Sequence, residues 1–404
     1  MYGLILRYLP WLPIGFIVID IISGLLLHTT GSSLGISVLY KFTVILLCLL
    51  LLSLGRTGGA QLSFLTVFIT VVYGWLYSLV YGNQHIAYQV TEIFKLFSLF
   101  IIAFGLIECY KIKPFDLKAI NLFFLITVSV FAINILLGLF GIGFKAYSTH
   151  GIKGFFYSGN SLSGIITILS VYVLTKANKI NWKAYIVTFV FFMILALLIG
   201  TKSAILAVGI VGVAIPFRSI NLRTVITIGL VSLVSLLPLL AFSGSILNSA
   251  FISRLVFMYN QGGIANLILS GRNEFLATLL PSYFENLNSA ILLGLDRGIS
   301  ATLVHNITEM DLSDMLIFMG LPISLIYLFC FGLLFKYLKD NLTKDIFFEV
   351  SLTSFVLVLI GLISGHVLFN GVITPYWAAV LAFGFIRSVG NNENRNFNNT
   401  ISIG

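Results

Sequence analysis

The strongest constraint on this chain is its apolar runs, which are too long and too free of charge for a soluble core. LLCLLLLSL at 46–54 and FFLITVSVF at 123–131 are two of them. About 20 such residues in a helix cross the hydrocarbon layer. Membrane β-strands would instead alternate apolar and polar residues over about ten positions. The runs do not alternate, so the predicted fold is an all-α, polytopic membrane protein. Charged residues make up 9% of the chain and hydrophobic ones 59%, against about a quarter charged in soluble domains. That excludes a soluble globular fold and a disordered chain alike.

The runs predict about twelve spans, at 11–28, 34–54, 60–80, 88–108, 119–140, 161–175, 184–200, 203–217, 222–242, 312–335, 346–366 and 371–387. They form one polytopic domain over 1–390. The Asn-rich segment 391–404 reads as a disordered tail. The net charge of +9 sits in short loops, which points to membrane orientation and not to nucleic acid. With the N-terminus cytoplasmic, the inner loops carry Arg56, Lys111, Lys113, Lys118, Lys176, Lys179, Lys183, Arg218, Arg223, Lys336, Lys339 and Lys344. The short outer turns 29–33, 81–87 and 367–370 carry no Lys or Arg. Both termini are therefore expected in the cytoplasm. The first helix reads as uncleaved, because no small-residue cleavage site follows it. Cys48, Cys109 and Cys330 are scattered and fit neither a disulfide framework nor a metal knuckle.

Two outer segments exceed a turn. One is 141–160, rich in Gly and aromatic residues. The other runs from Ser243 to about Asp311 and contains FISRLVFMY and EFLATLLPSYF, apolar enough for short or interfacial helices. Long loops in compact proteins tend to be functional or disordered. All five histidines, His28, His85, His150, His305 and His366, fall at or near this outer face. Six of the 14 acids lie in or just after the long loop: Glu274, Glu285, Asp296, Glu309, Asp311 and Asp314. No P-loop, nucleotide fingerprint or Cys/His metal spacing is present.

Three stretches could carry chemistry. In GTKSA (200–204) Lys202 opens a helix with Thr201 or Ser203 as cap. A cation there opposes the helix dipole unless an anion binds beside it. The alternative is a lysine snorkelling to the interface. In SGRNEF (270–275) Arg272 can grip a diphosphate through two parallel hydrogen bonds. Alternatively, it pairs with a loop acid such as Glu274 or Glu285. Arg254 and Arg297 stand in the same loop. In HNITEMDLSDMLIFMG (305–320) His305 suits general-base work, or is an inert surface histidine. Thr308 and Asp311 have capping-box spacing, and acids favour helix N-termini. Within the spans stand Asp20, Lys41, Glu92 and Lys95. For Asp or Lys, mid-span burial costs roughly 2.5–3.5 kcal/mol. Glu92 and Lys95, three apart, can pair on one helix.

The joint arrangement resembles the O-antigen ligase and polymerase family, integral-membrane transferases of bacterial surface polysaccharides. The resemblance lies in the span count, a long outer loop before the third-last span, the TKSA turn, the SGR motif, and a His-Asn pair followed by acids and a glycine. The SGN–SLSG segment, Ser158 to Gly164, is similar to a Gly-Asn turn at the start of the family's sixth span. Lys202 stands where the ligases usually carry Arg. That departure, with Glu309 and Asp311 after His305, looks more like a repeat-unit polymerase.

The resemblance implies an inverting, C-type glycosyltransferase at the outer face of the cytoplasmic (inner) membrane. It would join undecaprenyl-diphosphate-linked repeat units into O-antigen, capsule or exopolysaccharide. No nucleotide sugar, cofactor or metal is implied. Fixed cations at Lys202 and Arg272 would stabilise the departing diphosphate. His305 would be the base, oriented by Glu309 or Asp311, with Arg254, Asn160, Asn306, Glu309 and Asp311 binding substrate. Partners would be the lipid-linked donor and acceptor, membrane lipids, and a chain-length regulator and flippase, with no nucleic acid. Two alternatives stay open: a ligase of the same family, and a secondary transporter or lipid-linked oligosaccharide flippase.

Overall fold

The computed structural model describes residues 2–54, 59–145, 151–156, 158–218, 226–227, 229–231, 250–303 and 307–401. The chain is helical almost throughout. In order come α1 (Tyr2–Tyr8), a 3-10 turn (Leu9–Trp11), α2 (Leu12–Thr30), α3 (Ile36–Leu54), α4 (Gly59–Tyr81), α5 (Ile86–Ile112) and α6 (Lys118–Leu139). A small antiparallel hairpin, β1 (Phe144–Lys145) and β2 (Ile152–Gly154), leads into α7 (Gly159–Ile180), α8 (Trp182–Ile199) and α9 (Lys202–Phe217). Then follow α10 (Ala250–Leu269), α11 (Arg272–Glu285), α12 (Leu287–Leu293), α13 (Arg297–Ala301), α14 (Asp311–Asn341), α15 (Lys344–Ser364) and α16 (Ile373–Ile401).

Ten of these helices, counted among the described residues, are long and apolar enough to cross a membrane. They match ten of the expected spans, with α1 and α2 acting as one. α9 is apolar but short, at 16 residues. The expected span 222–242 lies largely outside the described residues. The segment expected as a long outer loop holds four helices among its described residues, α10 to α13, and its apolar stretches fall within α10 and α11. α16 continues to Ile401, so 391–401, which composition reads as disordered, is drawn as helix. It extends a well-packed span, and no proline after Pro375 stops it.

α5, α7 and α16 are the buried posts of the bundle. About 72% of the membrane window of α5, 83% of that of α7 and 89% of that of α16 is inside the protein, against 33% for α6. α5 packs on α16, α3, α4 and α14, while α7 packs on α8, α9 and α15. Small residues permit the close approaches: Gly105 of α5 lies on Cys48 of α3, and Gly212 of α9 on Phe189 of α8. The in-span charges Asp20, Lys41, Glu92 and Lys95 are neutralised. Lys41 donates to Asp20 at 2.5 Å, and Ser37 and Tyr376 add further bonds to the same carboxylate, tying α2, α3 and α16. Lys95 reaches Glu92 at 2.7 Å along α5.

α14 is not one continuous helix. Gly320 breaks it with φ 74 and ψ 168, a region open in practice only to glycine. The strand of chain at Leu292–Gly294 lies against this break. Gly294 itself adopts φ 78 and ψ 170. A Cβ on Gly294 would fall on the Phe318 backbone, and one on Gly320 on the Leu292 carbonyl. The break's backbone groups are satisfied: Leu295 N donates to Ile317 O at 2.6 Å, and Ser324 Oγ donates to Gly320 O at 2.7 Å. Three tyrosines spaced four apart on α4 fix this segment. Tyr73 donates to Leu293 O, Tyr77 to Asp296, and Tyr81 to Gly294 O, at 2.6, 2.6 and 2.8 Å.

The bundle thus has two unlike ends. The loop end carries α10–α13, the starts of α7, α9 and α14, and the turn 365–372. The opposite end holds a second group of basic residues. There Lys179, Arg218 and Arg387 pair with Asp345 and Glu349, and Lys111 lies over the rings of Tyr337 and Phe385.

Candidate functional site

At the loop end the N-termini of α7, α9, α11 and α14 gather around the turn 365–372. Each helix start leaves backbone N–H groups unpaired and a partial positive charge. Thr201, one of the two caps expected from sequence, caps α9 by accepting from Ala204 N. Its hydroxyl lies 2.8 Å from Ser163 of α7, and Ser203 donates to the same serine at 3.0 Å. Asn160 donates to Ser364 O at 3.1 Å, and Ser161 exchanges hydrogen bonds with Asn370. A buried polar layer therefore joins α7 and α9 to the turn. It fixes the start of α9 and hence the root of Lys202.

Lys202 and Arg272, remote in sequence, are brought to one place. Lys202 Nζ is 3.2 Å from Ser270 Oγ and 3.6 Å from Met258 Sδ. Ser270 and Gly271 form the αL turn, φ 59 and 84, that carries the chain from α10 into α11. Arg272 then opens α11 and donates to Leu269 O at 3.2 Å, one residue from the serine that Lys202 touches. Two cations and a helix N-terminus thus border one turn. Such an arrangement favours an anion. Ser270 is the element that sequence reading left out: it links the two cations and was visible only as the first letter of the SGR motif.

Arg272 is paired with a loop acid, the alternative the sequence offered, but with neither Glu274 nor Glu285. Glu274 instead accepts from Asn266 at 2.6 Å. Arg272 pairs with Glu309, 37 residues on, at 3.1 Å. Glu309 sits in the αL region, φ 56. Its carbonyl is pressed on Gly365, where a Cβ would collide. Arg272 Nε, Asn266 Oδ1 and Asn273 Oδ1 are buried and bonded to no group among the described residues. These atoms leave donor and acceptor capacity beside the cations.

Thr308 and Asp311 do not form a capping box. α14 begins with Met310 at its N-cap, and Thr308 bonds Asp314 through both its backbone N and its hydroxyl, each at 2.8 Å. Asp311 is 2% exposed. It accepts from the backbone N of His366, Val367 and Leu368 at 2.7, 2.8 and 2.8 Å. Its carboxylate is therefore consumed in shaping the 365–372 turn, and neither a sugar nor a histidine ring needs to be invoked to explain its burial. His366 adopts φ 60 there. The contact spans 55 residues, and no local spacing foretells it.

The other candidates divide. His305 and Asn306 lie outside the described residues, as does His150. Arg254 falls in α10, and its side chain is also outside what is described. Arg297 lies over Phe318 at 3.7 Å and Tyr88 at 4.9 Å, so it packs the broken span against α5. His28 contacts Phe144 and Phe155 of the hairpin region, and His85 stands beside Gly298. No group of three or more His, Cys, Asp and Glu with metal-binding geometry occurs among the described residues. Comparison with protein-family models, with curated proteins and with solved structures gives no match for this chain.

Proposed function

We propose that this protein is a repeat-unit polymerase of a bacterial surface polysaccharide, with its loop end at the outer face of the cytoplasmic membrane. The observation that supports this reading is the meeting of Lys202 and Arg272 around the Ser270–Gly271 turn. A polyprenyl diphosphate gains negative charge as its glycosyl bond breaks. Two fixed cations and free N–H groups at the same point lower the barrier of that step. Glu309 neutralises Arg272 in the free protein, and an incoming diphosphate takes its place.

The reaction is an inverting displacement. A hydroxyl of the lipid-linked acceptor attacks the anomeric carbon of the donor glycan. A C–O bond forms, the C–O bond to the diphosphate breaks, and the hydroxyl proton passes to a base. His305 is assigned that role from the sequence. Asp311 holds the turn and is not its orienting partner in this scheme, which leaves Glu309 for that task. Twelve spans, both termini cytoplasmic, and the basic end facing inward complete the reading.

A transporter is the second reading, favoured by the discontinuous α14. Against it, three carbonyls at the break are engaged: Ile317 O by Leu295, Phe318 O by Gln89, and Gly320 O by Ser324. Polysaccharide banding in a deletion strain tests the proposal. A polymerase deletion leaves a single repeat unit on the acceptor, whereas bare acceptor indicates a ligase or flippase.

A further inference from the structure

A cleft of about 310 Å³ opens near the basic end, far from the polar layer just described. Leu52, Leu62, Phe100, Phe104, Leu333 and Tyr337 give it apolar walls, and Glu108 and Lys111 of α5 give it two charges. Its origin is visible in the packing. α4 and α14 both lie on α5. At the loop end α12 is wedged between them, packing on both. At the other end no helix among the described residues fills that place, and the gap between α4 and α14 remains.

Glu108 is the unexplained group. It is 6% exposed, yet no described residue bonds or pairs with its carboxylate, which lines the cleft. Its counterparts Asp20, Glu92 and Glu349 all have partners. An unpaired carboxylate in an apolar wall is costly, and a ligand that donates a hydrogen bond removes the cost. Lys111 follows one turn later, nearer the helix end. Its ammonium rests over the faces of Tyr337 and Phe385 at 5.4 and 5.8 Å, which leaves its N–H donors available.

We propose that this cleft binds a single-chain phospholipid, a lysophospholipid, with its chain among the apolar walls. The order of groups along α5 sets the chemistry. From the membrane interior outward come hydrocarbon walls, an acceptor at Glu108, and a cation at Lys111. A lysophospholipid presents the matching sequence of chain, free glycerol hydroxyl and phosphate. The cleft has room for on the order of ten water-sized groups, which suits one chain and not two. The inference is independent of the chemistry at the loop end.

The test uses the full-length protein, delipidated and placed in phosphatidylcholine nanodiscs. Palmitoyl lysophosphatidic acid is titrated in, and retained lipid is counted by native mass spectrometry. Dipalmitoyl phosphatidic acid, which lacks the hydroxyl, and farnesyl phosphate, which has one chain but no hydroxyl, serve as comparisons. One lysolipid should be retained per chain. Glu108→Gln and Lys111→Ala should each weaken retention roughly tenfold. Lys111→Arg should keep most of it, and Leu333→Trp, which fills the cleft, should abolish it. Thermal melting of each variant checks folding. Equal retention by wild type and Leu333→Trp marks general lipid adhesion and overturns the site. Farnesyl or dipalmitoyl binding as tight as that of the lysolipid, or unaltered by Glu108→Gln, overturns the role of the hydroxyl.

Discussion

At the residue scale, the two cations carry the chemistry of the proposal. Lys202→Ala and Arg272→Ala should each cost roughly 2–4 kcal/mol of transition-state stabilisation, the range for a lost oxyanion donor. Turnover by detergent-purified variants measures it. Lys202→Arg keeps the charge and should retain part of the activity. Arg272→Lys should retain less, because a point charge replaces a planar fork and the Leu269 and Glu309 bonds cannot both be kept. His305→Ala should remove most turnover with little change in melting temperature, and His305→Gln should not restore it. An active Gln variant would take His305 out of the mechanism. What sequence could say about these residues depended on distance along the chain. The Glu92–Lys95 pair lies on one helix and was legible from spacing. The Arg272–Glu309 and Lys202–Ser270 contacts depend on how α9, α11 and the approach to α14 converge, which no local pattern encodes.

At the scale of elements, the apolar runs identified the membrane helices well, because hydrophobic length is a local property. They did not show that α14 is broken. The signal lay in Gly320 and Pro322, two residues apart, but a membrane helix can absorb both when neighbours satisfy its backbone. Here the neighbour is the segment Leu292–Gly294, upstream in the chain. Gly320→Ala and Gly294→Ala should each destabilise the protein by about 1–3 kcal/mol, since both positions require backbone that only glycine adopts. The double variant should cost less than the sum, because the two glycines share one contact. Melting of the single and double variants decides this; strict additivity would mean that the two sites are independent. Asp311→Asn should lower stability by on the order of 2 kcal/mol through its three bonds to the 366–368 backbone. Thr308, read as a cap for Asp311, in fact serves Asp314. Capping-box spacing was present, but the carboxylate of Asp311 had stronger donors elsewhere.

At the scale of the whole molecule, the two ends differ in what they hold. One end has buried serines and asparagines, four helix N-termini and the cations of the Ser270 turn. The other has the lysines and arginines that charge asymmetry assigns to the cytoplasm. A cysteine placed at Gly263 should therefore react with an impermeant thiol reagent in outer-permeabilised cells, while one at Asp340 should not. The central claim is that the loop end polymerises lipid-linked glycans by stabilising a departing diphosphate. It is tested most directly by reconstituting the purified protein in liposomes with undecaprenyl-diphosphate-linked repeat units and following product length. Wild type should extend the lipid-linked glycan without nucleotide sugar, and Lys202→Ala and Arg272→Ala, folded to the same melting temperature, should not. Extension by both variants at the wild-type rate would contradict the claim.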